Sequence, residues 1–165
     1  MPEGPISNIG GTRMSDQDAG DVSVTEDHQW DCLRYFLERV VPVAEEAGVK
    51  LAMHLDDPPL SPIMGIVRLM SSIENYQKLV DMVPSPVNGI GLCQGNFTLM
   101  TDDLAAVIRH FGEQKKIHFL HIRGVQGEPE RFQEVFHDEG KQIWLRVCER
   151  RCRRWGERQV ACISY

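Results

Sequence analysis

Gly48-Val49-Lys50-Leu51-Ala52-Met53-His54-Leu55-Asp56-Asp57-Pro58-Pro59 is the stretch that decides the fold. A glycine that stops a helix is followed at once by a short apolar run, and the run ends in a turn that cannot continue a sheet. Residues 49–55 therefore read as a buried strand. Upstream, Thr25-Glu26-Asp27-His28 opens a helix, and Trp30, Leu33, Leu37, Val40, Val41 and Ala44 recur at three- and four-residue steps. Pro42 lies inside that pattern and is expected to kink or break it. Downstream, residues 66–83 read as a helix ending at Pro84-Ser85-Pro86. Asn88 to Cys93 reads as a second strand, followed by a loop at Gln94-Gly95-Asn96. Asp102-Asp103 caps a helix over 103–114, and Ile117 to Arg123 is a third strand. Gly124 to Pro129 reads as loop, and residues 130–137 could start another helix.

Strands alternating with helices of this length make βαβ units and a parallel sheet, so the class is α/β with about three parallel strands and intervening helices. No GxGxxG follows any of the strands, so the dinucleotide-binding version has no support. The chain has 165 residues. A complete (β/α)₈ barrel takes about 250, so a barrel-derived piece fits the length and a whole barrel does not.

Composition sets further bounds. With 42% hydrophobic and 25% charged residues the chain is that of an ordinary soluble domain. No apolar stretch is long enough to span a membrane. The net charge of -6 argues against nucleic acid or an anionic membrane surface as the main partner. After Lys141 there are six Arg against Glu149 and Glu157, a net of +4, which leaves -10 on the first 141 residues. Three segments follow: residues 1–24, rich in Gly, Pro, Ser and Asp and read as loop or disordered; 25–141, the α/β part; and 142–165, an atypical Arg-rich tail. Five cysteines at irregular spacing with no secretory signal read as reduced cytosolic thiols.

The residues that carry chemistry lie at strand ends, where α/β folds place their sites. His54, Cys93 and His121 each fall at or near the C-terminal end of one strand. Side chains alternate with period two, so Ala52 and His54 share a face, as do Gly91 and Cys93. Ile117, Phe119, His121 and Arg123 share one face of the third strand, and His118, Leu120 and Ile122 the other. Two imidazoles and a thiolate can thus converge, a set able to hold a divalent transition metal with open positions. A strand-end histidine or cysteine also serves as a hydrogen-bonded or packed core residue; three in succession strengthen the metal reading. Asp56 and Asp57 are either acid/base groups or turn caps. Arg123 is either a ligand for a substrate carboxylate or a structural ion pair. His28, His110 and His118 read as structural or solvated, and Cys148 with Cys152 offers only a weak metal pair.

The wording of the sequence adds to its pattern. The block Val43 to Pro59 resembles a segment of the mannonate dehydratases. So do Gly91-Leu92-Cys93-Gln94-Gly95-Asn96-Phe97, Ile117 to Val125, and Phe132 to Gly140, in order and at natural spacings over about residues 25–141. This resemblance implies a xylose-isomerase-like (β/α)₈ barrel, of which the chain would be a partial TIM barrel from the centre of the fold. It implies dehydration of D-mannonate to 2-keto-3-deoxy-D-gluconate in hexuronate breakdown, in the cytoplasm, with Mn²⁺ or Fe²⁺. The family's His, Cys and His metal ligands fall on His54, Cys93 and His121, and its arginine after the second His on Arg123.

Leu55 stands where the family has Pro. The matching blocks end near Lys141, and no Asp follows Asp138, so the family's Asp ligand from a later strand has no counterpart. Residues before 25 do not supply the family's opening strands. Three strands cannot close an eight-stranded barrel, so raw sheet edges and exposed apolar surface are expected, with a second copy of the chain among the partners. Two alternatives follow: a catalytically incomplete piece, and a sugar isomerase or epimerase of the same superfamily, whose sites generally lack the cysteine that Cys93 supplies.

Overall fold

Helix α1 spans Glu26–Ala47 and buries Trp30, Leu37, Val41 and Ala44 on one stripe. In this computed structural model the described residues are 24–136, 138–141 and 161–163; the segment 1–23 and most of the tail lie outside them. The Thr25 hydroxyl accepts from the His28 backbone N–H at 3.2 Å and caps the helix start. Gly48 closes it in the left-handed region, φ 66°, while Val49 N–H returns to the Ala44 carbonyl at 2.8 Å. Contrary to expectation, Pro42 does not break the helix. Both Pro42 and Glu38 face solvent, so water can satisfy the Glu38 carbonyl that loses its partner.

Strand β1 is Leu51–Met53, shorter than the apolar run that announces it. A loop with an Ile63–Ile66 bridge leads to a 3₁₀ turn at Leu69–Ser71 and then to α2, Ile73–Met82, capped by Ser72. The helix therefore starts later than residue 66. Strand β2, Asn88–Cys93, is buried throughout. It runs directly into α3, Gln94–Met100, where a loop is expected from sequence. This helix is held by Thr98, whose hydroxyl donates to the Gln94 carbonyl at 2.8 Å. Helix α4, Leu104–Glu113, is capped by Asp103, and β3, Ile117–Ile122, follows.

The strands β1, β2 and β3 pair in parallel, in that order, as the helix–strand alternation predicts. A fourth parallel strand, β6 at Ala161–Ile163, lies beside β3; its short apolar run, Val160-Ala161-Cys162-Ile163, falls within the Arg-rich tail, to which no element is assigned from sequence. Residues 124–135 depart most from expectation. They form an antiparallel hairpin, β4 Gly124–Glu128 and β5 Arg131–Val135, not a loop and a helix start. The physical reason is that 131–135 has two apolar residues at most, too few for a helical stripe, while pairing satisfies the backbone groups that face each other across the turn.

The pairing of β2 with β3 contains an irregularity: Ile90 opposes Ile117 but Gly91 opposes Phe119, so His118 is an extra residue. It corrects the period-two reading. Ile117 now shares a face with Ile90, Leu92 and Leu120, all packed into the core with Phe111 and Leu104. His118 joins the opposite face, that of Ala52, Gly89, Gly91 and Cys93. There its ring lies so close to Gly89 that an added Cβ would come within 2.5 Å of it. Its Nδ1 donates to the Leu51 carbonyl at 2.8 Å. The shift is absorbed before Phe119, so His121 still pairs with Cys93.

Candidate metal centre

His54 lies one residue beyond β1, Cys93 is the last residue of β2, and His121 opposes Cys93 from β3. The structure brings all three together: one ligand atom from each lies within 4.8 Å of the other two. The two imidazole rings are 5.8 Å apart between centroids. Cys93 is buried, His121 half-buried and His54 exposed, so the cluster opens on the His54 side.

The backbone sets the tautomer of His54. A carbonyl can only accept, so the 3.0 Å contact between Nδ1 and the Leu55 oxygen carries the Nδ1 proton and leaves Nε2 as the donor atom. Cys93 is biased toward thiolate. Burial alone pushes the thiol up, but its hydrogen bond with His54, the Asn96 backbone N–H and the Arg123 charge outweigh burial, and the net shift is downward. The same bond with Cys93, opposed by burial, holds His54 above its ordinary value. Burial, with the Arg123 charge, lowers His121 and disfavours its imidazolium form. Two imidazoles and a soft thiolate at these separations fit a divalent transition ion and leave positions open.

The remaining predicted residues separate clearly. Asp56 accepts from the Met70 backbone N–H at 3.2 Å and faces Arg68 at 3.6 Å, so it ties the loop to the 3₁₀ turn. Asp57 instead binds Arg123, at 2.7 Å. Arg123 is almost fully buried; it also donates to Glu134 at 2.5 Å and to the side-chain oxygen of Asn96. His28 contacts Cys32 on the surface of α1, and His110 contacts Gln77 between α2 and α4. Cys148 and Cys152 lie outside the described residues. Sequence reading missed Asn96 and Glu134. Asn96 stands three residues after Cys93, one helical turn on, and becomes visible only if α3 is read as a helix. Glu134 alternates with Phe132, whose ring lies 6.0 Å from the Arg123 guanidinium, a signal hidden by taking the hairpin for a helix.

A parallel α/β sheet with a candidate metal-donor set at its strand ends is the arrangement of a metal-dependent α/β protein. Comparison with known proteins makes the class specific. The family described as D-mannonate dehydratase (UxuA) matches residues 13–150, reaching past 25–141 at both ends. The mannonate dehydratase of Geobacillus thermodenitrificans is 44% identical over 104 residues, which are 62% of this chain and 28% of that protein. Mannonate dehydratase 2 of Halalkalibacterium halodurans is 41% identical over 116 residues, 69% of this chain and 33% of that one. The crystal structure of mannonate dehydratase from Streptococcus suis serotype 2 superposes with a TM-score of 0.69 at 32% identity, over 76% of this chain and 36% of that chain. The chain belongs to the D-mannonate dehydratase family, and its sheet and helices are part of that family's α/β barrel. It spans about a third of the length of the curated relatives it matches. Members of the family are generally metal-dependent. No helix among the described residues is long and apolar enough to cross a membrane.

Proposed function

We propose that this chain supplies the His54–Cys93–His121 part of a mannonate dehydratase site and takes part in converting D-mannonate to 2-keto-3-deoxy-D-gluconate. The observation that carries the reading is the convergence of three ligand atoms from three successive strand ends within 4.8 Å. His54 through Nε2, Cys93 as thiolate and His121 as neutral imidazole would hold Mn²⁺ or Fe²⁺. When bound, such an ion supplies Lewis-acid stabilisation to negative charge on neighbouring oxygens. That chemistry suits this substrate, because losing the C2 proton builds charge on the adjacent carboxylate before the C3 hydroxyl leaves.

The chain's own residues prepare the site. The Leu55 carbonyl orients His54, and the Asn96 N–H and Arg123 favour the thiolate form of Cys93 against its burial. The two carboxylates at its edge, Asp57 and Glu134, are both engaged by Arg123. The reading includes a soluble sugar acid as partner, a cytoplasmic location where Cys93 stays reduced, no nucleic-acid or membrane role, and self-association through the exposed side of α1, where Tyr35, Phe36 and Val43 face solvent.

The test is dehydration of D-mannonate by the purified protein with Mn²⁺ or Fe²⁺, beside the variant Cys93→Ala and a chelated control. Turnover that disappears in both controls is expected. Turnover indifferent to Cys93 and to chelation overturns the reading. A folded, metal-binding protein without turnover favours the catalytically incomplete alternative.

A further inference from the structure

We propose that Arg123 is a positioning residue, a central post that sets the relative placement of His54, Cys93 and His121. The inference deepens the metal-site reading and rests on it. Each ligand has a member of the Arg123 network close behind it in sequence. Asp57 follows His54 by three residues, Asn96 follows Cys93 by three, and Arg123 itself follows His121 by two. One guanidinium joins them: Nη2 donates to Asp57 Oδ2 at 2.7 Å and to Asn96 Oδ1, and Nη1 donates to Glu134 Oε1 at 2.5 Å. Nη2 thereby spends both its hydrogens inside the protein. The loop after β1, the first turn of α3 and the hairpin after β3 are fastened at one point.

The path of the side chain is as constrained as its tip. The Arg123 stem crosses the α3 backbone at Gly95, where an added Cβ would stand 2.7 Å from Cγ and 2.9 Å from Nε. Only glycine allows that approach. A planar, forked, permanently charged group meets three acceptors arriving from different elements, which a lysine's single ammonium cannot do. Asp57 and Glu134 keep substantial solvent exposure, 41% and 55% of their side chains. If Arg123 is lost they can hydrate, so the expected damage is to geometry more than to folding.

The experiment uses Co²⁺ as probe on the full chain. A Co²⁺–thiolate bond gives a near-ultraviolet charge-transfer band; its loss in Cys93→Ala assigns it to Cys93 among the five cysteines of the chain, and titrating it gives the affinity. Residues that orient metal ligands typically alter affinity by about 10–100-fold. Arg123→Met is expected to weaken Co²⁺ by about 10-fold or more and to diminish the band while the thermal melt stays cooperative. Gly95→Ala keeps the charge but displaces the stem and is expected to act in the same direction. Asp57→Asn, at a more exposed position, keeps the protein folded if Arg123→Met does not, and is expected to weaken Co²⁺ by about threefold or more. A folded Arg123→Met with unchanged affinity and band overturns the proposal. If Arg123→Met unfolds, an unchanged Asp57→Asn overturns it. No Co²⁺ band in the unsubstituted chain is a different failure: it removes the metal reading, and this inference with it.

Discussion

Tyr76 offers a test of the packing beneath the site. Its ring is fully buried, 5.1 Å from Phe97 and 6.4 Å from Phe111 between centroids. Its hydroxyl is sealed from solvent and has no hydrogen-bond partner among the described residues. Burial, reinforced by the nearby Cys93 and Asp56 charges, pushes the phenol far above its ordinary range, so it stays a neutral hydroxyl. Burying a hydroxyl without a partner costs about 1–3 kcal/mol. Tyr76→Phe removes that cost and keeps the ring against Phe97 and Phe111. The substitution opens only the space of one oxygen, a small loss of packing. The net expectation is a gain of about 1 kcal/mol, equivalent to a rise of about 3–5 °C in Tm for a domain of this size. Urea unfolding followed by far-ultraviolet circular dichroism, with the slope m compared between the two proteins, separates a stability change from a change in compactness. Tyr76→Ala, which empties the ring space as well, is expected to lose about 3–5 kcal/mol. A loss of stability above about 1 kcal/mol in Tyr76→Phe refutes the reasoning, because it shows that the hydroxyl is bonded.

His118 is expected to make stability depend on pH. Burial holds its pKa below the ordinary histidine value of about 6.5, so its contribution is complete above that pH and is lost as the pH falls below it toward the folded-state pKa. His118→Gln should flatten that part of the profile, seen as a smaller drop in urea midpoint from pH 7.5 to pH 5. Gly48→Ala should cost about 1 kcal/mol through the left-handed backbone alone, since its φ is 66° and nothing lies within 4 Å of an added Cβ; a neutral thermal melt would contradict this. Thr25→Ala should cost about 1 kcal/mol by removing the cap on α1, and hydrogen exchange should show the first turn of that helix opening sooner.

The cluster of His54, Cys93 and His121 is legible because its signal is local. An apolar run names a strand, the break in the run names its end, and the residue standing there is read directly. Register did not enter until the strands were compared with one another, and there the local rule failed. His118 reads as the far side of a regular strand, yet the irregularity opposite Ile90 and Gly91 turns it to the side of Gly89. Nothing in Ile117-His118-Phe119 announces that irregularity, since it is settled by what β2 presents. Gly89 has no side chain to compete with the imidazole, and the Leu51 carbonyl on β1 waits to accept its proton.

The same division explains why the three clustered residues are legible in the sequence while the partners of Arg123 are not. Arg123 was visible as a charged residue at a strand end, and both of its roles, substrate ligand and ion pair, were consistent with the chain order. Choosing between them takes Asp57, Asn96 and Glu134, which lie 66, 27 and 11 residues away in sequence. Two of these were obscured by local misreadings: Gln94-Gly95-Asn96 as a loop, because a glycine and two amides carry no helical stripe, and 130–137 as a helix. In the fold, those weak local preferences are overridden by one buried cation. Leaving its charge without carboxylates would cost more than a short helix around a glycine or a narrow hairpin does. The β4–β5 hairpin carries a carboxylate, Glu134, to Arg123 and α3 brings the neutral Asn96 amide, so the cation favours both forms without being their sole support. Gly95→Ala and Asp57→Asn, which act on the post from opposite sides, should perturb the same three ligands.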